Sequence, residues 1–142
     1  MFLAVNCLIK LLNIKIEVLE LGAGTSLPGI TAALCGAQVT LSDSTKFPHC
    51  LEQCRRAIQV NGLEGSVDVI GLTWGYILHK LTNLRGKVDV LIGSDCFYDP
   101  VGFEDLIVTV AYLLENNPGV SLGSGFSMWG KKRCAELLSQ LG

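Results

Sequence analysis

Val18-Leu19-Glu20-Leu21-Gly22-Ala23-Gly24-Thr25-Ser26-Leu27-Pro28-Gly29 is the stretch whose reading decides the fold. A short apolar run, Ile16 to Leu21, ends in glycines, which permit positive φ and let a ligand approach the backbone closely. Ser26 suits the N-cap of a following helix, and Pro28 in its first turn lacks only an N–H that would have no partner there. The stretch therefore reads as strand, tight loop, helix, with the helix running to about Cys35 and stopping at Gly36. A second strand spans Gln38 to Ser42, and Asp43 stands at its end, 21 residues after Gly22. A carboxylate there accepts hydrogen bonds from both hydroxyls of a ribose. The glycine loop and Asp43 together point to a nucleoside ligand.

The same alternation continues outward. Pro48 to about Val60 forms a second helix, with Cys50, Leu51, Cys54, Ala57 and Ile58 on one face and Asn61-Gly62 at its end. Val67 to Leu72 reads as a third strand, Tyr76 to Leu81 as a weak helix, and Val88 to Gly93 as a central strand. A longer helix, Val101 to Glu115, closes at Asn116-Asn117-Pro118. Val120 to Phe126 is a fifth strand weakened by its glycines, and Lys131 to Leu141 is an amphipathic helix. Alternation of this kind implies right-handed crossovers and a parallel sheet with helices on both faces. Ligands of such sheets lie beyond the carboxyl ends of the strands. Glu20 to Gly24, Asp43, Leu72 to Gly75 and Ser94 to Tyr98 all fall there.

A dinucleotide fingerprint requires a third small residue for close helix–strand packing. That place holds Leu27, and the next glycine, Gly29, comes two residues later, so a pyrophosphate cradle is disfavoured. S-adenosylmethionine carries no phosphate, and its ammonium suits an acidic residue at the strand end, which is Glu20. Trp74, directly after the third strand, can cover an adenine face. His49 and His79 are possible bases, but nothing near them in sequence orients them.

Composition agrees with a covered sheet. Hydrophobic residues make up 49% and charged residues 17% of the 142, against about 25% charged in an average domain, and strands buried on both faces read as apolar runs. The net charge of −2 gives no field favouring nucleic acid, and Lys131-Lys132-Arg133, the one basic cluster, reads as a solvated helix start. The six cysteines form no C-x-x-C and no histidine has metal-ligand spacing, so they read as small core residues in a reducing compartment, with no metal site. The apolar start, Met1 to Ile9, lacks a basic flank and a small-residue cleavage site and is too short to span a bilayer. A cytoplasmic or nuclear protein with no membrane partner is expected.

Glu20 to Gly29 resembles the first motif of the seven-strand S-adenosylmethionine-dependent methyltransferases, in the version used by methyltransferase family sixteen. The agreement extends through Leu41-Ser42-Asp43, Pro48-His49-Cys50-Leu51, Gly71-Leu72-Thr73-Trp74-Gly75, Ser94-Asp95-Cys96-Phe97-Tyr98, Phe103-Glu104-Asp105 and Asn117-Pro118. It covers roughly residues 17 to 121 of what is expected to be a single domain over 1–142, with a divergent tail at 122–142. The resemblance implies an α/β, Rossmann-like methyltransferase fold with S-adenosylmethionine as cofactor. It implies a cofactor site at Glu20, Gly22, Ala23, Gly24, Asp43, Trp74 and Ser94, and catalytic roles for Asp95 and Tyr98. Asp95 would hold the acceptor nitrogen and ease its deprotonation, and Tyr98 would wall the channel against the cation. Methyltransferases of exocyclic base or glutamine nitrogens carry Asn/Asp-Pro-Pro-Tyr/Phe here. Cys96 and Phe97 replace both prolines, which favours an Arg or Lys side chain of a protein, with histones or chaperones as partners by analogy. The family's leading helix with its Trp-Pro segment and its final antiparallel hairpin have no counterpart in this sequence. The fold is thus expected to be truncated at both ends. A catalytically weak or inactive module that binds a protein partner is the alternative that truncation leaves open.

Overall fold

The computed structural model describes residues 15–93 and 100–123. Chain order gives β1 (Glu17–Leu21), α1 (Leu27–Leu34), β2 (Gln38–Asp43), α2 (Pro48–Val60), β3 (Val67–Gly71), α3 (His79–Thr82) and β4 (Val90–Gly93). A 3₁₀ turn (Pro100–Gly102), α4 (Phe103–Asn116) and β5 (Ser121–Leu122) follow. The strands form one sheet in the order β3-β2-β1-β4-β5, every pairing parallel. From β1 the chain steps outward through β2 and β3, then returns to pair β4 on the other side. The topological switch point therefore lies between β1 and β4, beside the glycine loop.

Strand alternation sends neighbouring residues to opposite faces, and both faces are covered. Val18, Val39, Leu41 and Val67 pack with Ile30 and Ala33 of α1 and with Cys54 and Ile58 of α2. Leu19, Leu21 and Leu91 pack with Leu81 of α3 and with Leu106, Ile107, Val110 and Leu113 of α4. Each buried leucine contributes about 2 kcal/mol of apolar transfer free energy, so these two clusters carry the sheet. No helix among the described residues is long and apolar enough to cross a membrane.

Several boundaries depart from expectation. The weak helix expected at Tyr76 begins only at His79. Tyr76, Ile77 and Leu78 are all more than half exposed, so nothing packs there to hold a first turn. β4 starts at Val90, and Asp89 just before it already ties to β1. Its N–H donates to the Glu17 carbonyl at 2.9 Å, and its carboxylate accepts from the Glu17 N–H at 2.9 Å. Among the described residues β5 has two residues and ends before Gly123. Residues 124–126 of the expected fifth strand and the helix expected over Lys131 to Leu141 lie outside the described residues.

Candidate cofactor site

Three loops meet at the carboxyl end of the sheet. The loop after β1 carries Gly22 at φ 61° and Gly24 at φ 50°, the left-handed region that only glycine enters freely. Its Ala23 N–H donates to the Ser42 carbonyl at 2.9 Å, and the Ser42 hydroxyl donates back to the Glu20 carbonyl at 2.6 Å. Asp43 completes the join: its Oδ2 accepts from the Gly24 N–H at 2.9 Å and its Oδ1 from the Ser44 N–H at 2.7 Å. A carboxylate offers about four acceptor positions, so each oxygen keeps capacity for a hydroxyl donor. Asp43 is half-buried at the site's edge, which leaves that capacity reachable. The arrangement fits a ribose diol.

The third loop follows β3. The Leu72 N–H donates to the Asp43 carbonyl at 2.9 Å, and the hydroxyls of Thr45 and Thr73 bond to each other at 2.8 Å. Trp74 is half-buried and rests against the cluster beneath α3 and α4. Gly75, at φ 82°, donates its N–H to the Thr109 hydroxyl of α4 at 2.9 Å. Trp74 is thus fixed between β3 and α4, and its buried indole N–H has no partner among the described residues. A buried indole N–H ordinarily finds an acceptor.

Glu20 departs from the simple picture of a carboxylate facing a ligand. It is fully buried in the central strand, on the face covered by α1. One oxygen, Oε2, accepts from the Gly29 N–H at 2.9 Å, and the other has no partner among the described residues. Burial pushes its carboxyl up from 4.5 to about 7, the Gly29 bond opposes this, and the Asp43 charge adds to it. The bond to Gly29 also changes how α1 is capped. Ser26 was expected to cap the helix, yet its side chain makes no cap bond. It sits at φ 63° and donates its hydroxyl to Cys54 Sγ at 3.0 Å. A serine held in the left-handed region costs about 1–2 kcal/mol relative to glycine, and that geometry aims its oxygen away from the helix amides. Glu20 supplies the capping acceptor in its place.

Gly29 also takes the role that the sequence reading sought at Leu27. A Cβ at Gly29 would overlap Leu41 Cδ2 and Glu20 Oε2, so Gly29 is where α1 approaches the sheet most closely. Leu27 points outward, 69% exposed. The small residue exists, two positions later than a dinucleotide loop places it. The Thr45–Thr73 bond, Thr109 and the Gly29 contact were not anticipated. Only Gly29 left a signal in the sequence, as the next small residue in the motif.

His49 and His79 are exposed. His49 meets Phe47 edge-on at 6.0 Å, and His79 Nε2 lies 3.3 Å from Asn83 Nδ2, so neither is held at the loops. Among the described residues no group of three or more His, Cys, Asp or Glu side chains converges as a metal site would. Ser94, Asp95 and Tyr98 lie outside the described residues. They follow Gly93, the last residue of β4, which pairs with Leu21 in the register of the sheet.

Residues 10–135 match the family described as lysine methyltransferase, and the chain belongs to that family. It is 50% identical over 111 residues to the mouse (Mus musculus) histone-arginine methyltransferase METTL23, covering 78% of this chain and 43% of that protein. It is 37% identical over 106 residues to the mouse protein N-lysine methyltransferase METTL21A, covering 75% and 48%. The chain thus spans about half the length of the curated relatives it matches. The solved structure of the S-adenosylmethionine-dependent methyltransferase SibL superposes with a TM-score of 0.59 at 18% identity, over 78% of this chain and 30% of that one. The fold is therefore that of the Rossmann-like methyltransferases.

Proposed function

We propose that this chain forms the cofactor-binding part of an S-adenosylmethionine-dependent methyltransferase acting on Arg or Lys side chains of proteins. The observation that carries the reading is Asp43, joined through Oδ2 to the Gly24 N–H at 2.9 Å with acceptor capacity left on both oxygens. Asp43 holds the ribose, and Gly22, Ala23 and Gly24 give the ligand close access to the backbone. Trp74 contributes an aromatic wall on the adenine side. Glu20 seats α1 beneath the loop through its bond to the Gly29 N–H, and its second oxygen is an acceptor in reserve. When bound, the cofactor supplies an electrophilic methyl carbon on sulfur. The protein's part is then alignment of a neutral nitrogen about 3 Å from that carbon.

That alignment belongs to the segment after β4. By the sequence motif, Ser94 is assigned to the cofactor side, Asp95 to holding the acceptor and easing its deprotonation, and Tyr98 to the channel wall. These roles rest on the sequence motif and on its position directly after Gly93. A protein acceptor follows from Cys96 and Phe97 standing where base methyltransferases carry prolines, and from the curated relatives. METTL23 is named a histone-arginine methyltransferase and METTL21A a protein N-lysine methyltransferase. A histone substrate accords with the first of those names; a chaperone substrate, a cytoplasmic or nuclear location and the absence of a nucleic-acid or membrane partner belong to the reading taken from the sequence. Transfer of labelled methyl from S-adenosylmethionine to histone peptides, with Asp95→Ala alongside, tests the assignment. We expect transfer by the unaltered chain and at least about a hundredfold loss in the variant. Equal transfer by both would remove Asp95 from its role.

A further inference from the structure

Ser26 is the sole non-glycine residue with positive φ among those described. It ends the same loop as Gly22 and Gly24, which take left-handed conformations without a Cβ penalty. Ser26 is fully buried, and its backbone is committed on both sides of the turn. Its N–H donates to the Ala23 carbonyl at 2.6 Å, and its carbonyl accepts from the Ile30 N–H at 2.9 Å. A left-handed Ser26 is thus required both to close the loop and to start α1. What remains is to hold a residue that resists this conformation. The only side-chain hydrogen bond at Ser26 among the described residues runs to Cys54 Sγ, at 3.0 Å.

Cys54 suits that task by its position. It is fully buried at the middle of α2, packed in the cluster that contains Ala23 and Ile30. Ala23 belongs to the loop and Ile30 to the helix that Ser26 begins, so one sulfur meets the loop between its two anchors. The thiol's tendency to ionise is reduced by burial, with the Ser26 bond opposing and the Asp43, Glu20 and Cys50 charges reinforcing that effect. It therefore acts as a neutral acceptor rather than a reactive group.

We propose that Cys54 is a positioning residue for cofactor binding, clasping Ser26 so that the loop from Gly22 to Ser26 is preformed before the ligand arrives. The proposal rests on the cofactor reading given above. When the clasp is absent, a strained serine leaves the left-handed region in part of the population. Affinity falls by the fraction of molecules that keep the competent loop.

The test is titration of the 142-residue chain with S-adenosylhomocysteine, in two backgrounds. In the natural background, Cys54→Val keeps the site apolar, adding about one methyl group, and removes the acceptor, and we expect binding about three- to tenfold weaker, the range of one modest hydrogen bond. Ser26→Ala, which removes the donor and keeps the strained backbone, should weaken binding by a similar factor, and the double variant should be no worse than either single one. In a Ser26→Gly background the left-handed conformation is free, so adding Cys54→Val should change the affinity less than twofold. Melting temperatures are recorded in parallel. If Cys54 merely fills the core, Cys54→Val lowers the melting temperature equally in both backgrounds and its effect on affinity is the same in each. That result overturns the clasp. Failure of the unaltered chain to bind at all overturns the cofactor reading instead, so the two failures are distinguishable.

Discussion

Glu20 is an acidic residue with no access to water, in the middle strand of a parallel sheet. Its raised pKa has a definite consequence for stability. The carboxyl titrates at 4.5 ordinarily and at about 7 in the folded chain, so the folded state holds the proton more tightly than the unfolded state does. Stability from this group is fully present below pH 4.5 and is lost as pH rises through 7. At 1.36 kcal/mol per pH unit, the loss approaches about 3 kcal/mol. Glu20→Gln keeps an acceptor for the Gly29 N–H but does not ionise. Urea unfolding should find the two chains equally stable near pH 4.5 and the variant more stable at pH 8 by up to about 3 kcal/mol. A constant difference at both values would mean that Glu20 does not titrate in this range. The sequence announced Glu20 as a strand-end acid. It could not announce the burial, which depends on α1 folding back so that Gly29 lies over it.

Gly29 and Asn117 show how elements are seated. A methyl group at Gly29 would overlap Leu41 and Glu20, and overpacking of this kind costs about 1–3 kcal/mol. Gly29→Ala should lower stability by that amount and weaken nucleoside binding, because α1 and the loop move together. Thermal unfolding with a parallel binding titration checks both. Asn117 is buried just beyond α4. Its Oδ1 accepts from the N–H groups of Lys87 at 2.9 Å and Val88 at 3.1 Å, and its Nδ2 donates to the Leu113 carbonyl at 2.9 Å. One side chain thus ties the end of α4 to the approach to β4. Asn117→Ala leaves two backbone N–H groups without that acceptor and should cost about 2–4 kcal/mol, measured by chemical unfolding. In the sequence Asn117 was legible as a helix stop and no more, since its partners lie some thirty residues away. α2 was legible end to end because its apolar spacing and its Asn61-Gly62 stop agree. α3 was not, because exposed Tyr76, Ile77 and Leu78 mimic a helical face without packing as one.

At the scale of the whole molecule, the doubly covered parallel sheet follows from alternating apolar runs and helical patterns, and the strand order places its switch point beside Gly22-Ala23-Gly24. The glycine loop and Asp43 were readable because each is a residue type that the chemistry demands at the end of a strand. The latches between loops, Thr45 to Thr73 and Gly75 to Thr109, were not readable. Threonine is common, and only the fold brings those pairs together. Since β1, β2 and β3 are complete and joined at their carboxyl ends, the ribose and adenine side of the pocket should form in this chain, although it spans about half the length of its curated relatives. Calorimetric titration of the chain with S-adenosylhomocysteine, set beside Asp43→Ala, measures this directly. Saturable one-to-one binding that weakens by about a hundredfold or more in the variant, the worth of two hydrogen bonds to a carboxylate, is the result predicted. No binding by the unaltered chain, or equal affinity in both, would contradict the nucleoside site.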